Sequence, residues 1–154
     1  MRWTRVASRL ALVAAVWLVA SRCEAACTVS TTSVSFGSYN VYSASDLDST
    51  GTVTYNCGVG TLSISIDLST GSSSGFNPRT LKNGSATLNY NLYMDAARSS
   101  IWGNGTAGTS HYTTSATALL LGGGATLTVY GRVQALQDAT AGAHSDTIVV
   151  TINF

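Results

Sequence analysis

The chain has 154 residues, of which 45% are hydrophobic and only 10% charged, and its formal net charge is +1. Lys82 is the single lysine, and beyond residue 25 the cations are only Arg79, Lys82, Arg98 and Arg132, scattered along the chain, which excludes the basic patch that nucleic-acid binding needs. The polar surface must come from Ser, Thr, Asn and Gly, a composition that suits an exported β-protein of one domain.

The first element is a leader. Arg2, Arg5 and Arg9 form a basic region, Leu10 to Ala20 is almost unbroken apolar sequence, and Ser21 to Ala25 is short and carries small residues. This is the layout of a secretory signal peptide spanning residues 1–25, with cleavage before Ala26. The apolar stretch is about half the roughly 20 residues a membrane-spanning helix requires, so no stable membrane insertion is expected once the leader is removed. Arg2, Arg5, Arg9 and Arg22 leave with it, as does Glu24, and the remaining four basic and six acidic residues carry about −2. Only Cys27 and Cys57 then remain of the three cysteines, and an oxidising compartment allows them to pair.

From Ala26 to Phe154 helical periodicity is absent and alternation recurs. Strand side chains point to opposite faces with period 2. The first strand, near Val29–Phe36, changes parity between Cys27/Val29 and Val34/Phe36, which predicts a bulge or a crossing between sheets around Thr31–Ser33. Val53, Tyr55 and Cys57 share the dry face of a strand over Thr52–Cys57. Leu62, Ile64, Ile66 and Leu68 do so over Leu62–Leu68. Leu88, Tyr90, Leu92 and Met94 follow over Thr87–Met94, and Leu127, Val129, Gly131 and Val133 over Thr126–Val133. Shorter pieces are expected near Ile101-Trp102 and His111–Leu121, with Gly-rich loops at Gly71–Gly75, Gly103–Gly108 and Gly122–Gly124. One wet and one dry face per strand is the pattern of an antiparallel sandwich.

The last strand, Thr147–Phe154, places Ile148, Val150, Ile152 and Phe154 on one face. An apolar edge without a neighbour invites association with another chain. A seven-strand immunoglobulin-like sandwich would here be one strand short, so the expected fold is all-β and incomplete, lacking its C-terminal strand. Such a domain is completed by a segment from elsewhere.

Chemistry-bearing motifs are scarce. His111 and His144 stand alone among polar residues, without ligands at metal-binding spacing. Asp46 and Asp48 are two apart, but lack the further ligands of a calcium site or the partners of a glycosidase pair. No serine lies in Gly-x-Ser-x-Gly, and no helix follows Gly122–Gly124 to hold a phosphate. Asn83-Gly-Ser85 and Asn104-Gly-Thr106 match a glycosylation tripeptide that is common by chance in such compositions. Tyr90, Tyr93, Trp102, Tyr112 and Tyr130 are read as packing residues rather than a sugar-binding patch. No catalytic constellation and no cofactor is implied.

Several of these stretches together resemble the spore coat protein U domain family, which includes the pilins of archaic chaperone–usher pili. They are Ala26-Cys-Thr-Val-Ser30, Val34-Ser-Phe-Gly37, Thr52–Cys57, Thr87-Leu-Asn-Tyr-Asn-Leu-Tyr93, Asp95-Ala-Ala-Arg98, Ile101-Trp-Gly103, Leu127-Thr-Val-Tyr-Gly-Arg132 and Asp146-Thr-Ile-Val-Val-Thr151. The resemblance covers residues 26–154. It implies a structural subunit of a surface fibre or coat, with a tip or terminal adhesin-like module as the alternative. The implied partners are a periplasmic pilus chaperone that lends a strand, an outer-membrane usher and neighbouring pilin subunits, and the implied destination is the periplasm and then the cell surface. It also implies a Cys27–Cys57 disulfide. The acceptor groove is expected along Val29, Val34 and Phe36 on one side and Ile148, Val150, Ile152 and Phe154 on the other. Shaft subunits of the family donate an extension that precedes the first cysteine. Cleavage before Ala26 would leave one residue there, so this subunit is expected to accept a strand without donating one.

Overall fold

The computed structural model describes residues 27–61, 63–114 and 122–154, and all regular structure among them is β. The expected leader, Leu62 and most of the His111–Leu121 piece lie outside the described residues. The strands are β1 (Cys27–Thr32), β2 (Leu47–Cys57), β3 (Ile64–Leu68), β4 (Arg79–Asn83), β5 (Ala86–Tyr93), β6 (Tyr112–Thr114), β7 (Gly123–Val133) and β8 (Val150–Asn153).

Two antiparallel sheets face each other. One has the order β1-β2-β7-β5-β4 and the other β6-β3-β8. The long β2–β7 ladder, from Leu47 opposite Val133 to Cys57 opposite Gly123, is the spine of the larger sheet. Its period-2 pattern decides what is inside: Val53, Tyr55 and Cys57 of β2 meet Ile64, Ile66 and Leu68 of β3 across the sandwich, with Leu92 and Val129 in the same core. The dry faces read from the sequence are therefore the buried ones. The opposite face of β2 and β7 carries hydroxyls. Thr54 bonds Thr126 across that ladder, and Thr52 bonds Thr32 of β1, each at 2.9 Å.

The parity change in the first strand has a physical cause. β1 ends at Thr32, and the chain then leaves its ladder to lie across β2 and β7. Val34 and Phe36 press onto Gly131, where an added Cβ would come within 2.6 Å of Val34 and 2.7 Å of Phe36. Gly131 thus leaves the hollow into which these two side chains fold. Phe36 meets the Tyr90 ring edge-on at 6.0 Å.

Strand β4 has no counterpart in the sequence reading. Its inward positions include Arg79 as well as Leu81, so the apolar alternation that reveals other strands is missing. It pairs with β5 from Arg79 opposite Tyr90 to Asn83 opposite Ala86. Asn83-Gly84-Ser85 closes this hairpin, with Gly84 at φ +61° in the first central turn position. The outer edge of β4 is covered locally, because Lys82 and Ser145 exchange backbone hydrogen bonds of 2.8 and 3.0 Å. The segment running from residue 139 to Val150 therefore starts against one sheet and ends in the other.

An open seam as the candidate functional site

β1 ends one sheet and β8 ends the other, and each is bonded on one side alone: β1 to β2, β8 to β3. Among the described residues no backbone closes the outer edge of either. An unpaired strand edge presents a row of N–H and C=O groups to any extended segment that reaches it. Between the two edges the sandwich is open. The opening exposes a cleft whose walls are Val34 and Phe36 on one side and Ile148 and Val150 on the other, over a floor that includes Leu68 and Leu92. It continues past Phe36, Leu81 and Asp146 into a wider cleft between the straps 37–41 and 139–145.

Of the seven residues expected at the groove, the structure brings four together: Val34, Phe36, Ile148 and Val150. Val29 sits on β1, 37% exposed, and is not among the lining residues. Ile152 is half-buried opposite Ile66, against the core. Phe154, 63% exposed, lies beyond the end of β8. The reason is the crossing after Thr32, which displaces the cleft from β1 toward the 33–41 strap. Its other end is bounded by Ala139–Ser145, and its floor there includes Leu47, Leu88 and Val133. Sequence reasoning missed this half, because a wall of Ala, Thr and Gly in irregular backbone has no periodic signal.

Two polar networks hold the walls. Asp146, where the two parts of the cleft join, accepts from the Ser72 N–H at 2.8 Å and hydroxyl at 2.7 Å, from the Thr147 N–H at 2.8 Å, and from the Tyr90 hydroxyl at 2.7 Å. Partial burial opposes its charge, but these hydrogen bonds outweigh burial and hold its pKa below the usual carboxylate value. Tyr90 is pushed upward, by burial first and by its bond to Asp146 second.

Arg79 is 0% exposed. Its Nε donates to the Ser69 carbonyl at 2.9 Å, Nη1 to Asn91 Oδ1 at 2.7 Å and Nη2 to the Trp102 carbonyl at 2.7 Å. The guanidinium also lies 5.2 Å from the centre of the Phe76 ring. Burial lowers its pKa, while nearby Tyr90 and Asp146 act in the opposite direction. Trp102, itself buried, donates its indole N–H to the Ile66 carbonyl at 2.9 Å. Arg79 thus ties the start of β4 to β5, to the end of β3 and to the Ile101–Trp102 segment, behind the floor of the cleft.

Cys27 and Cys57 are joined by a disulfide and face each other in the β1–β2 register, with their Cα atoms 4.0 Å apart. This pins the start of the free-edged strand to the spine of its sheet. The other candidate groups are otherwise engaged. Asp48 takes Arg132 Nε at 2.7 Å and Nη2 at 2.9 Å and lies 3.2 Å from Arg98, while Asp46 is 3.2 Å from Arg132 Nη1. His111 Nδ1 lies 2.9 Å from Asp67 Oδ1. His144 Nδ1 is 3.2 Å from the Gly142 carbonyl, and its buried Nε2 has no partner among the described residues. Tyr90 and Trp102 are core residues, and the Tyr112 hydroxyl lies 3.2 Å from that of Tyr55. Among the described residues no group of three or more His, Cys, Asp and Glu is placed to hold a metal ion.

An all-β sandwich of immunoglobulin type, open along one seam where a final strand would lie, is thus the class of protein that the fold defines. The chain belongs to the spore coat protein U domain family, whose profile, described as Spore Coat Protein U domain, matches residues 13–151. It is 35% identical over 116 residues to Protein U of Myxococcus xanthus, an alignment taking in 71% of this chain and 62% of that protein. Among solved structures it is similar to a chain in the crystal structure of the CsuC–CsuE chaperone–tip adhesion subunit pre-assembly complex, from archaic chaperone–usher Csu pili of Acinetobacter baumannii. The TM-score is 0.57 at 17% identity, covering 84% of this chain and 40% of that one. The chain therefore spans less than two thirds of the length of either.

Proposed function

We propose that the domain is a structural subunit of a surface fibre or coat that is completed by a strand from another chain. The carrying observation is the seam itself: the free edges of β1 and β8 flank a cleft walled by Val34, Phe36, Ile148 and Val150. An inserted strand would gain main-chain hydrogen bonds from the edges and bury alternate side chains in the cleft. Before assembly a periplasmic chaperone supplies that strand, and afterwards a neighbouring subunit does, with an outer-membrane usher passing the subunit between them. Membership of the spore coat protein U domain family supports this order of events, as does a fold shared with a chain of a chaperone–subunit complex. The leader at residues 1–25 directs export, and the mature domain at 26–154 reaches the periplasm and then the cell surface.

The test is co-purification with the chaperone of its own assembly system. Val150→Asp places a carboxylate inside the cleft, whereas Phe154→Asp places one on a largely exposed position. The first variant should lose the chaperone and accumulate as aggregate or fragments, and the second should be recovered as the complex. Equal recovery of both would refute the assignment of the cleft, and a chain that stays soluble and monomeric without any partner would refute strand acceptance.

A further inference from the structure

The two ends of the cleft differ in size, and resting on strand acceptance as just proposed, we infer that this selects the inserted segment by a gradient of side-chain bulk. At the end nearer Val150 the cleft measures about 180 Å³, confined by large side chains such as Phe36, Leu68 and Tyr90. At the other end it measures about 1010 Å³, because the 139–143 wall is Ala-Thr-Ala-Gly-Ala and the opposite strap begins at Gly37 and Ser38. The floor there stays apolar, with Leu47, Leu88 and Val133. Protein interiors reach crystal-like density, and an unfilled void forfeits contacts along its whole lining. A segment whose inward side chains were all small would leave the wide end hollow. One whose inward side chains were all large would not enter the narrow end. The occupant that fits is an extended segment with Phe- or Leu-sized residues inward at one half and Ala- or Val-sized residues inward at the other. Its outward positions are polar, since they face water. Such a segment enters in one register, because a shift of two residues along the cleft sets large groups against the narrow walls.

The experiment uses the oxidised mature chain held in its chaperone complex, and two synthetic peptides of one composition and alternation that compete with the chaperone for the cleft. One peptide carries its bulky apolar residues in the N-terminal half and the other in the C-terminal half. Their affinities should differ by about tenfold or more, the discrimination expected when apolar groups are mis-sized for a pocket. Ala141, exposed at the wide wall, is then enlarged. Ala141→Phe should weaken the better peptide about tenfold, and a peptide with Ala in place of its bulkiest residue should regain binding to that variant. Thr140→Phe, on the same wall, repeats the swap should the first variant not fold. Peptides that bind equally well, with enlargement of either wall residue making no difference, would overturn the size gradient and leave strand acceptance standing. Binding of neither peptide, together with loss of chaperone capture by the unmodified chain, would overturn strand acceptance itself.

Discussion

Replacing Arg79 by Met removes the buried guanidinium while keeping a long apolar side chain in its place. Three charge-assisted hydrogen bonds disappear, to Ser69, Asn91 and Trp102. At roughly 1.5–3 kcal/mol each, the gross loss is about 4.5–9 kcal/mol. Against this, the variant no longer carries the desolvation cost of a buried cation, which is several kcal/mol. The Ser69 and Trp102 carbonyls are left without this donor, at about 1–3 kcal/mol for each unsatisfied buried group, while Asn91 Oδ1 keeps the Leu92 N–H, and the net destabilisation should be about 3–5 kcal/mol. With an m-value near 2 kcal/mol/M, the urea midpoint falls by roughly 1.5–2.5 M. Trp102 reports the transition directly, since it is buried and its carbonyl is one of the three acceptors. Arg79→Lys should lie between the two, because an ammonium retains the charge but not the planar fork that reaches three acceptors at once. A Met variant whose midpoint moves by less than about 0.5 M would refute the reasoning, since the bonds would then only offset the cost of burying the charge.

Two further outcomes follow from the walls of the cleft. The folded pKa of Asp146 is depressed, so its contribution to stability is complete above the unfolded value of 3.8 and is lost as the pH falls below that toward the folded value. Asp146→Asn should flatten this part of the acid-unfolding curve while leaving the neutral-pH protein folded, and an unchanged acid limb would show that another carboxylate governs it. Gly131→Val should cost about 1–3 kcal/mol by overpacking, because the new side chain occupies the hollow that holds Val34 and Phe36. Strand-peptide affinity should fall with it, and retention of both stability and affinity would show that the 33–41 strap does not depend on that hollow.

The central strands of the larger sheet are legible in the alternation of the chain. Strict alternation in Thr52–Cys57, Thr87–Met94 and Thr126–Val133 leaves one register that buries Val53, Tyr55, Leu92 and Val129, since a slip of one residue would turn every one of them to water. The sequence also marked the final strand as apolar on one face, and left Cys27 and Cys57 as the two cysteines available to pair in the domain. The tertiary structure alone decided where the opening lies. Val29 and Val34 belong to one stretch of sequence, but the hollow at Gly131 draws Val34 into the cleft and leaves Val29 on the sheet behind it. The β4 strand was invisible because its inward side includes a cation whose hydrogen-bond partners come from three separate elements, and local patterning does not encode partners distant along the chain. Gly84-Ser85, the two central residues of the β4–β5 turn, are a hairpin signal that the chain does carry. The wide end of the cleft consists of irregular straps, and what shapes it is how far apart two non-periodic segments settle on a common floor, a quantity fixed by packing.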